Sequence, residues 1–285
     1  MIDLHAHTTA SDGTFSPRQL VQLAHEIGLE AVGVTDHDTI AAWDEALQAG
    51  AELGMEIVPG VELSTSYSGG RFHLLGYYVD PQSELITVLD EIQTARRERN
   101  SQIFARLEEL HIPLQEAEVR AIAGRDDGEL GRPHFAQAML KRGYVSSLQE
   151  AFDQYLADGA AAYIPKKVLS PQEAIAAIHA AGGVAIWAHP PLNRKLNLMQ
   201  LEERLRDWVE WGLDGLEVYY FRYTPEEARW AEQMCQQYGI IGSGGSDFHG
   251  AAKPDVKLGI TNTGKAVPNE VLDLIKTRRD AIRGN

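Results

Sequence analysis

Apolar and polar positions along the chain follow two alternating periods. Short runs dense in aliphatic and aromatic residues lie near Ile2–His7, Ala31–Asp36, Ile57–Glu62, Phe72–Val79, Val184–His189, Gly215–Tyr219 and Ile240–Ser243, and read as strands. Between them, apolar residues recur at helical spacing over about 41–53, 171–181, 198–211, 225–238 and 268–281. The first helix has a start signal, Ser16 as N-cap with Pro17 behind it, and Gly28 as a stop. Strands alternating with helices predict a parallel α/β architecture. The alternation breaks between Pro81 and Lys167, where only helical patterns occur, around 83–110, 114–123, 134–142 and 148–157, with a loop over Gly124–Gly131. The expected organisation is a discontinuous domain of residues 1–80 and 168–285, interrupted by a helical subdomain of residues 81–167. Seven strands and such an insertion predict a distorted (β/α) barrel with a helical cap. An open doubly wound sheet is the structural alternative.

Composition narrows the function classes. Hydrophobic content of 44% with 24% charged residues is ordinary for a globular chain of 285 residues. No apolar run is long enough for a membrane span, and no signal peptide is visible, so neither a membrane nor export is expected. A single cysteine, Cys235, fits a reducing compartment, and the expected location is the cytoplasm. The net charge of -15 argues against a surface that tracks long nucleic acid. It leaves room for a small phosphorylated substrate, because divalent ions reverse the local field.

The chemistry is concentrated at strand ends. His5 and His7 form an H-x-H at the end of the first strand, where a period of two places both imidazoles on one face. Asp12 follows in Ser11-Asp12-Gly13, His37 sits in Asp36-His37-Asp38, Glu62 ends the third strand, and His73 lies on the fourth. His189 ends the fifth strand, and Asp247 and His249 follow the seventh. Barrel enzymes build their sites at the C-terminal ends of strands. Taken singly, each residue has a plainer reading: a lone His is usually packed or solvated, and Asp38 before Thr39 reads as a helix cap. Nine such residues at successive strand ends point to metal. One ion takes about four to six ligands, so nine suit two or three ions, with Glu62 as the bridge. Imidazole and carboxylate donors without thiolate suit manganese, iron or zinc. Gly242-Ser243-Gly244-Gly245 lacks the lysine of a phosphate loop and is expected to let the backbone turn before Asp247. His25, His111 and His179 lie outside these motifs and are expected to be structural or exposed. Tyr219-Tyr220-Phe221 reads as pocket lining or as packing.

The ordered set Ile2-Asp-Leu-His-Ala-His-Thr8, Thr35-Asp-His-Asp38, Gly60-Val-Glu62, Ala188-His-Pro190 and Ser246-Asp-Phe-His249 resembles the polymerase and histidinol phosphatase (PHP) superfamily over nearly the whole chain. The resemblance implies a distorted (β/α)7 TIM-like barrel, the PHP fold, with a trinuclear site in which manganese is the expected metal. One ion would take His5, His7, Glu62 and Asp247, a second Glu62, His73 and His189, and a third Asp12, His37 and His249. Asp12, His37, Asp247 and His249 are the expected catalytic residues. Within the insertion, Arg96-Arg97-Glu98-Arg99-Asn100 and Gly131-Arg132-Pro133-His134-Phe135-Ala136 resemble segments of a bacterial subgroup. That subgroup contains nucleoside 3′,5′-bisphosphate phosphatases and 5′→3′ exoribonucleases acting on short RNA. By that likeness, Arg99, Asn100, Arg132 and His134 would contact a phosphate remote from the metals, a role that suits the guanidinium fork. The plainer reading of the first segment is a solvated helix face with intrahelical pairs.

The expected activity is metal-dependent hydrolysis of nucleoside 3′,5′-bisphosphates, removing the 3′-phosphate, or of short 5′-phosphorylated RNA from its 5′ end. The expected partners are those small substrates, with no long duplex nucleic acid and no obligate protein partner. A phosphomonoesterase such as a histidinol-phosphate phosphatase, a metal-dependent amidohydrolase and a nucleotide-binding regulator with an inactive site are the alternatives.

Overall fold

A computed structural model of the chain describes residues 1–67, 70–123, 130–262, 264 and 266–284. The strands are β1 (Ile2–Ala6), β2 (Ala31–Val34), β3 (Glu56–Tyr67), β4 (Gly70–Tyr77), β5 (Val184–Ala188), β6 (Gly215–Tyr220) and β7 (Ile241–Gly245). The helices are α1 (Pro17–Glu26), α2 (Trp43–Leu53), α3 (Glu84–Glu109), α4 (Glu116–Ala123), α5 (Arg132–Lys141), α6 (Leu148–Ala151), α7 (Pro171–Ala180), α8 (Leu198–Glu210), α9 (Pro225–Tyr238) and α10 (Glu270–Arg283). Most of the loop expected over Gly124–Gly131 lies outside the described residues.

Local chemistry starts the helices where the sequence marks them. Ser16 and Gln19 form a reciprocal capping box at α1, as do Ser170 with Glu173 at α7, Asn197 with Gln200 at α8 and Thr224 with Glu227 at α9. Gly28 takes a φ of 79° just past α1, the left-handed turn that ends a helix without a Cβ penalty.

The seven strands lie side by side in chain order, β1-β2-β3-β4-β5-β6-β7. A doubly wound sheet reverses its strand order at a switch point, so this order excludes the open alternative. The two edges meet: Ala6 bridges Phe248 in parallel, and the Asp247 N–H donates to the His5 carbonyl at 2.9 Å. The result is a nearly closed barrel with surrounding helices.

One expectation is corrected. The barrel is mixed, because β4 runs antiparallel to both β3 and β5. Only two residues separate Tyr67 from Gly70, too few for the crossover that parallel neighbours need, and enough for a hairpin. Pairing with β4 also carries β3 on to Tyr67, past the end at Glu62 expected from the apolar run. The reversal matters for the site. His73, near the start of β4, pairs with Ala188 at the end of β5, so an early residue of a reversed strand reaches the same end of the barrel.

Alternation along the strands sorts side chains into two apolar layers. In β5, Ala185 and Trp187 pack with helix residues such as Ile175, Ile178 and Trp208, whereas Val184, Ile186 and Ala188 join Leu4, Val58, Tyr77 and Ile275. Trp187 lies 4.1 Å from Trp208 between ring centroids, and both are fully buried.

The chain divides into two compact units, Met1–Leu89 with Val168–Asn285, and Asp90–Lys167. The first turns of α3 belong to the first unit through Leu85 and Leu89, whose packing is in the barrel's core. The second unit has its own core of Ile103, Leu107, Val119, Phe135, Met139 and Leu156. No helix among the described residues is long and apolar enough to cross a membrane.

Candidate metal centre

Buried carboxylates that ligate nothing in the sequence-derived set shape the loops carrying that set. Asp36 accepts from the Thr8 N–H at 2.8 Å, the Thr8 hydroxyl at 2.7 Å and the Ser11 hydroxyl at 2.5 Å, which folds the segment after β1 back on itself. Asp3 accepts from the N–H groups of His5, Ser246 and Gly259, tying β1 to the loop that holds Asp247. Asp38 corrects its expected role as a helix cap. Its φ is 53°, and its oxygens take the Ser64 N–H at 2.8 Å and hydroxyl at 3.0 Å, while α2 starts only at Trp43 with no side-chain cap. It fastens the second loop to β3. Asp38, His189 and Asp247 are all non-glycine residues with positive φ, at 53°, 34° and 59°. Such strained backbones cluster where a site over-determines the chain.

The glycines before Asp247 also differ from expectation. Gly242–Gly245 belong to β7 itself, and the sharp turn is made by Asp247. Their purpose is close approach: a Cβ on Gly244 would meet the Tyr219 carbonyl oxygen at 2.2 Å, and one on Gly245 the His5 nitrogen at 2.4 Å.

These devices bring all nine expected ligands together. Glu62, 1% exposed, is the hub. Its Oε1 lies 2.8 Å from His73 Nδ1 and 3.0 Å from His189 Nε2. Its Oε2 lies 3.3 Å from His5 Nε2, 3.1 Å from His7 Nε2 and 3.1 Å from His37 Nδ1. Five imidazole nitrogens thus face one carboxylate. Asp247 Oδ1 lies 3.4 Å from His7 Nε2 and 3.7 Å from His5 Nε2. Asp12, with a side chain 48% exposed, has Oδ1 at 3.5 Å from His7 Nδ1 and 3.2 Å from His249 Nε2. His249 donates its Nδ1–H to the Asp247 carbonyl at 2.9 Å, which leaves Nε2 as the acceptor facing Asp12.

The donor set fits divalent cations. His5 Nε2 and His7 Nε2 face each other at 3.1 Å, and Glu62 Oε2, His37 Nδ1 and His73 Nδ1 are buried without a hydrogen bond among the described residues despite their proximity. Buried lone pairs aimed at shared space are costly unless something positive lies between them. Ligand atoms within 4.8 Å of one another form four groups: His7, Asp12, His37 and His249; His5, His7 and Asp247; His5, Glu62 and His189; and His37, Glu62 and His73. Burial alone would raise the Glu62 carboxyl, but the imidazoles of His37, His73 and His5 outweigh it and hold Glu62 well below the usual carboxylate range. Burial also disfavours charge on His7, yet hydrogen bonds to Asp247 and Glu62 carry it up to about 9, while burial takes His37 down to about 3.

Three residues outside the nine-member set also build the site: Glu217 and Lys253, which the sequence did not mark, and Tyr220 of the aromatic run expected to line the pocket or pack. Glu217, fully buried on β6, accepts from His5 Nδ1–H at 2.9 Å and from the His189 N–H at 2.7 Å. Tyr220 and Lys253 both donate to Asp247 Oδ2, each at 2.7 Å. The readable signal was Glu217 itself, a charge in the otherwise apolar run Gly215–Tyr220. Beside the ligands lies a cavity of about 280 Å³ whose lining includes Arg71, Tyr220, Arg222 and Lys253. The remaining histidines stand apart. His25 is exposed, His111 makes the turn after α3, and His179 Nε2 bonds Asp214 at 2.8 Å within the scaffold.

Within the second unit, the segment around Arg99 is divided: Arg97 and Glu98 are exposed, with Arg97 bonding Thr94 one turn back as a solvated face would, whereas Arg99 and Asn100 turn inward. Arg99 is buried and donates Nε–H to the Ile164 carbonyl at 2.7 Å. Asn100 is also buried; its Nδ2 donates to the Leu130 carbonyl at 3.0 Å, and its Oδ1 has no hydrogen bond among the described residues. Arg132 opens α5, two residues before the expected start, because Pro133 suits the first turn. Its Nη1 donates to the Leu156 carbonyl and to Asp158 Oδ1, both at 3.0 Å. His134 Nδ1 accepts from the Gly131 N–H at 3.1 Å and so caps the helix.

Comparison with known proteins places this geometry. The chain is 38% identical over 248 residues to a 5′-3′ exoribonuclease of Haemophilus influenzae, covering 87% of this chain and 89% of that one. It is 30% identical to a 3′,5′-nucleoside bisphosphate phosphatase of Chromobacterium violaceum, over 91% of each chain. A crystal structure from Bifidobacterium adolescentis, assigned as a metal-dependent phosphoesterase, superposes with a TM-score of 0.82 at 32% identity, covering 97% of this chain and 96% of that one. The model of the PHP domain matches residues 3–164, and with the full ligand set assembled at one end of the barrel, the chain belongs to the PHP family.

Proposed function

We propose that this metal-dependent phosphoesterase hydrolyses nucleoside 3′,5′-bisphosphates and short 5′-phosphorylated RNA, with two or three manganese ions as its cofactor. The observation that carries the reading is Glu62, buried with five imidazole nitrogens within 3.3 Å of its two oxygens. Glu62 would bridge ions held on one side by His5, His7 and Asp247 and on the other by His73 and His189, with Asp12, His37 and His249 completing the set. Ions bound there supply Lewis acidity toward phosphoryl oxygens and lower the pKa of water.

The chain's own residues do the rest. Arg71, Lys253 and Arg222 line the cavity beside the ligands, the last two paired with Asp247 and Asp255, and these cations would face a dianionic ester in a protein whose net charge is -15. Phosphoryl transfer needs such positioning and neutralisation more than a covalent nucleophile. Asp12 Oδ1 and His249 Nε2, 3.2 Å apart with Asp12 half-exposed, would hold an ion together with His37 where water can reach it. Arg99, Asn100, Arg132 and His134 would take the second phosphate. The support for that assignment is the likeness of their segments and the activities named for the relatives. Those names, an exoribonuclease and a bisphosphate phosphatase, do not favour a histidinol-phosphate phosphatase or an amidohydrolase.

The test is elemental analysis of protein purified without chelator, followed by phosphate release from adenosine 3′,5′-bisphosphate before and after EDTA. About two to three ions per chain are expected from the ligand count, with activity lost on chelation and restored by Mn²⁺. Metal near zero together with full activity in EDTA would overturn the reading.

A further inference from the structure

Six of the seven strands, or the loops that follow them, carry a residue of the nine-member set, and β6 carries none. Its contribution is of a different kind. Glu217 spans two ligands, taking the His5 Nδ1–H on Oε1 and the His189 backbone N–H on Oε2. Tyr220 donates its hydroxyl to Asp247 Oδ2, the oxygen turned away from His5 and His7, and Lys253 shares that oxygen.

In a regular strand, residues 217 and 220 would point to opposite faces. Here they serve the same site because the register slips between them. Glu217 pairs with Ser243 and Tyr219 with Gly244, so two steps on β6 match one on β7. A bulge of this kind re-aims a side chain. It also explains the glycine opposite, since the displaced Tyr219 carbonyl leaves no room for a Cβ on Gly244.

We propose that the bulged strand β6 orients the metal centre: Glu217 and Tyr220, with Lys253, are positioning residues that set which atoms of His5, His189 and Asp247 face the ions. Glu217 holds the His5 proton on Nδ1 and so keeps the Nε2 lone pair toward Glu62. It also holds the His189 backbone N–H where φ is 34°, a left-handed conformation that non-glycine residues adopt uncommonly. Tyr220 and Lys253 occupy Asp247 Oδ2 and leave Oδ1 for coordination. Outer partners of this sort typically change metal affinity about 10- to 100-fold.

The inference rests on the metal centre proposed above, and the test separates the two. Mn²⁺ dissociation constants are measured by chelator competition for the parent protein, Glu217→Gln, Tyr220→Phe, Lys253→Met and Lys253→Arg, with melting of each chelated protein alongside. In Glu217→Gln the amide oxygen must still accept from the His189 N–H, so its NH₂ meets His5 Nδ1 and drives the imidazole proton onto Nε2. That variant and Tyr220→Phe are each expected to bind Mn²⁺ at least about tenfold more weakly, with metal-free melting unchanged. Lys253→Met should follow, and Lys253→Arg should recover most of the loss. Tyr220→Phe removes a single oxygen and keeps the test open should Glu217→Gln fail to fold. A parent that binds no Mn²⁺ would sink the metal centre itself. A parent that binds, with Glu217→Gln and Tyr220→Phe within twofold of it, would overturn only the role of β6. So would affinity losses matched by equal losses in metal-free melting, the mark of a merely structural part.

Discussion

Glu62→Ala is expected to lower kcat/KM on adenosine 3′,5′-bisphosphate by at least about a thousandfold, close to 4 kcal/mol. The size follows from the number of partners that one carboxylate serves. Its two oxygens face His73 and His189 on one side and His5, His7 and His37 on the other. On the proposed reading, removing it would take a ligand from two ions at once and leave five imidazoles without their shared anion. Bound metal should fall by at least one ion per chain in the same preparation. Glu62→Gln is the sharper variant, because it keeps the shape and removes only the charge; it should lose nearly as much. His25→Ala, on an exposed helix face, is the control and should stay within about twofold, since surface changes rarely exceed ±0.5 kcal/mol. Near-parental turnover by Glu62→Ala would show that the hub of the cluster is not the bridge.

The second large effect concerns substrate choice. A bisphosphate should be a much better substrate than a nucleoside monophosphate, and Arg132→Ala should erase much of that preference. Losing one charge-assisted contact costs about 1.5–3 kcal/mol, or roughly ten- to a hundredfold in kcat/KM, and the loss should fall on the bisphosphate alone. Arg99 needs more care. It is buried and holds the Ile164 carbonyl, so Arg99→Ala also opens a hole in the insertion and leaves an acceptor unpaired. Arg99→Lys, which keeps the charge and loses the fork, is the better probe, with melting measured beside kinetics. Equal losses on both substrates would assign these arginines to the scaffold. A parental preference for histidinol phosphate would move the assignment to the simpler monoesterase.

Much of the site was legible along the chain because its signals are local. H-x-H at the end of an apolar run, Glu62 at the end of another and His189 before Pro190 are patterns of a few residues, and a strand's period of two projects them without further information. The helix starts at Ser16, Ser170 and Thr224 are equally local, since a capping box closes within four residues. Strand number, barrel class and the identity of the nine clustered residues could therefore be read before any coordinate.

What waited for the tertiary structure depends on contacts that local periodicity does not encode. The reversal of β4 puts His73 at the same end of the barrel as the other clustered residues, and only the pairing with β3 and β5 reveals that direction. His5 and Glu217 are 212 positions apart, yet that contact decides which nitrogen of His5 is free. The slip in β6 brings Tyr220 round to Asp247, and nothing in Gly215–Tyr220 alone marks where the register yields. Buried Arg99 and the Asp38 clamp on Ser64 were hidden for the same reason, because both are held by partners distant in the chain. Ligand identity is a local property of residue type and spacing; the orientation of each ligand atom is set by hydrogen bonds that exist only once the barrel has closed.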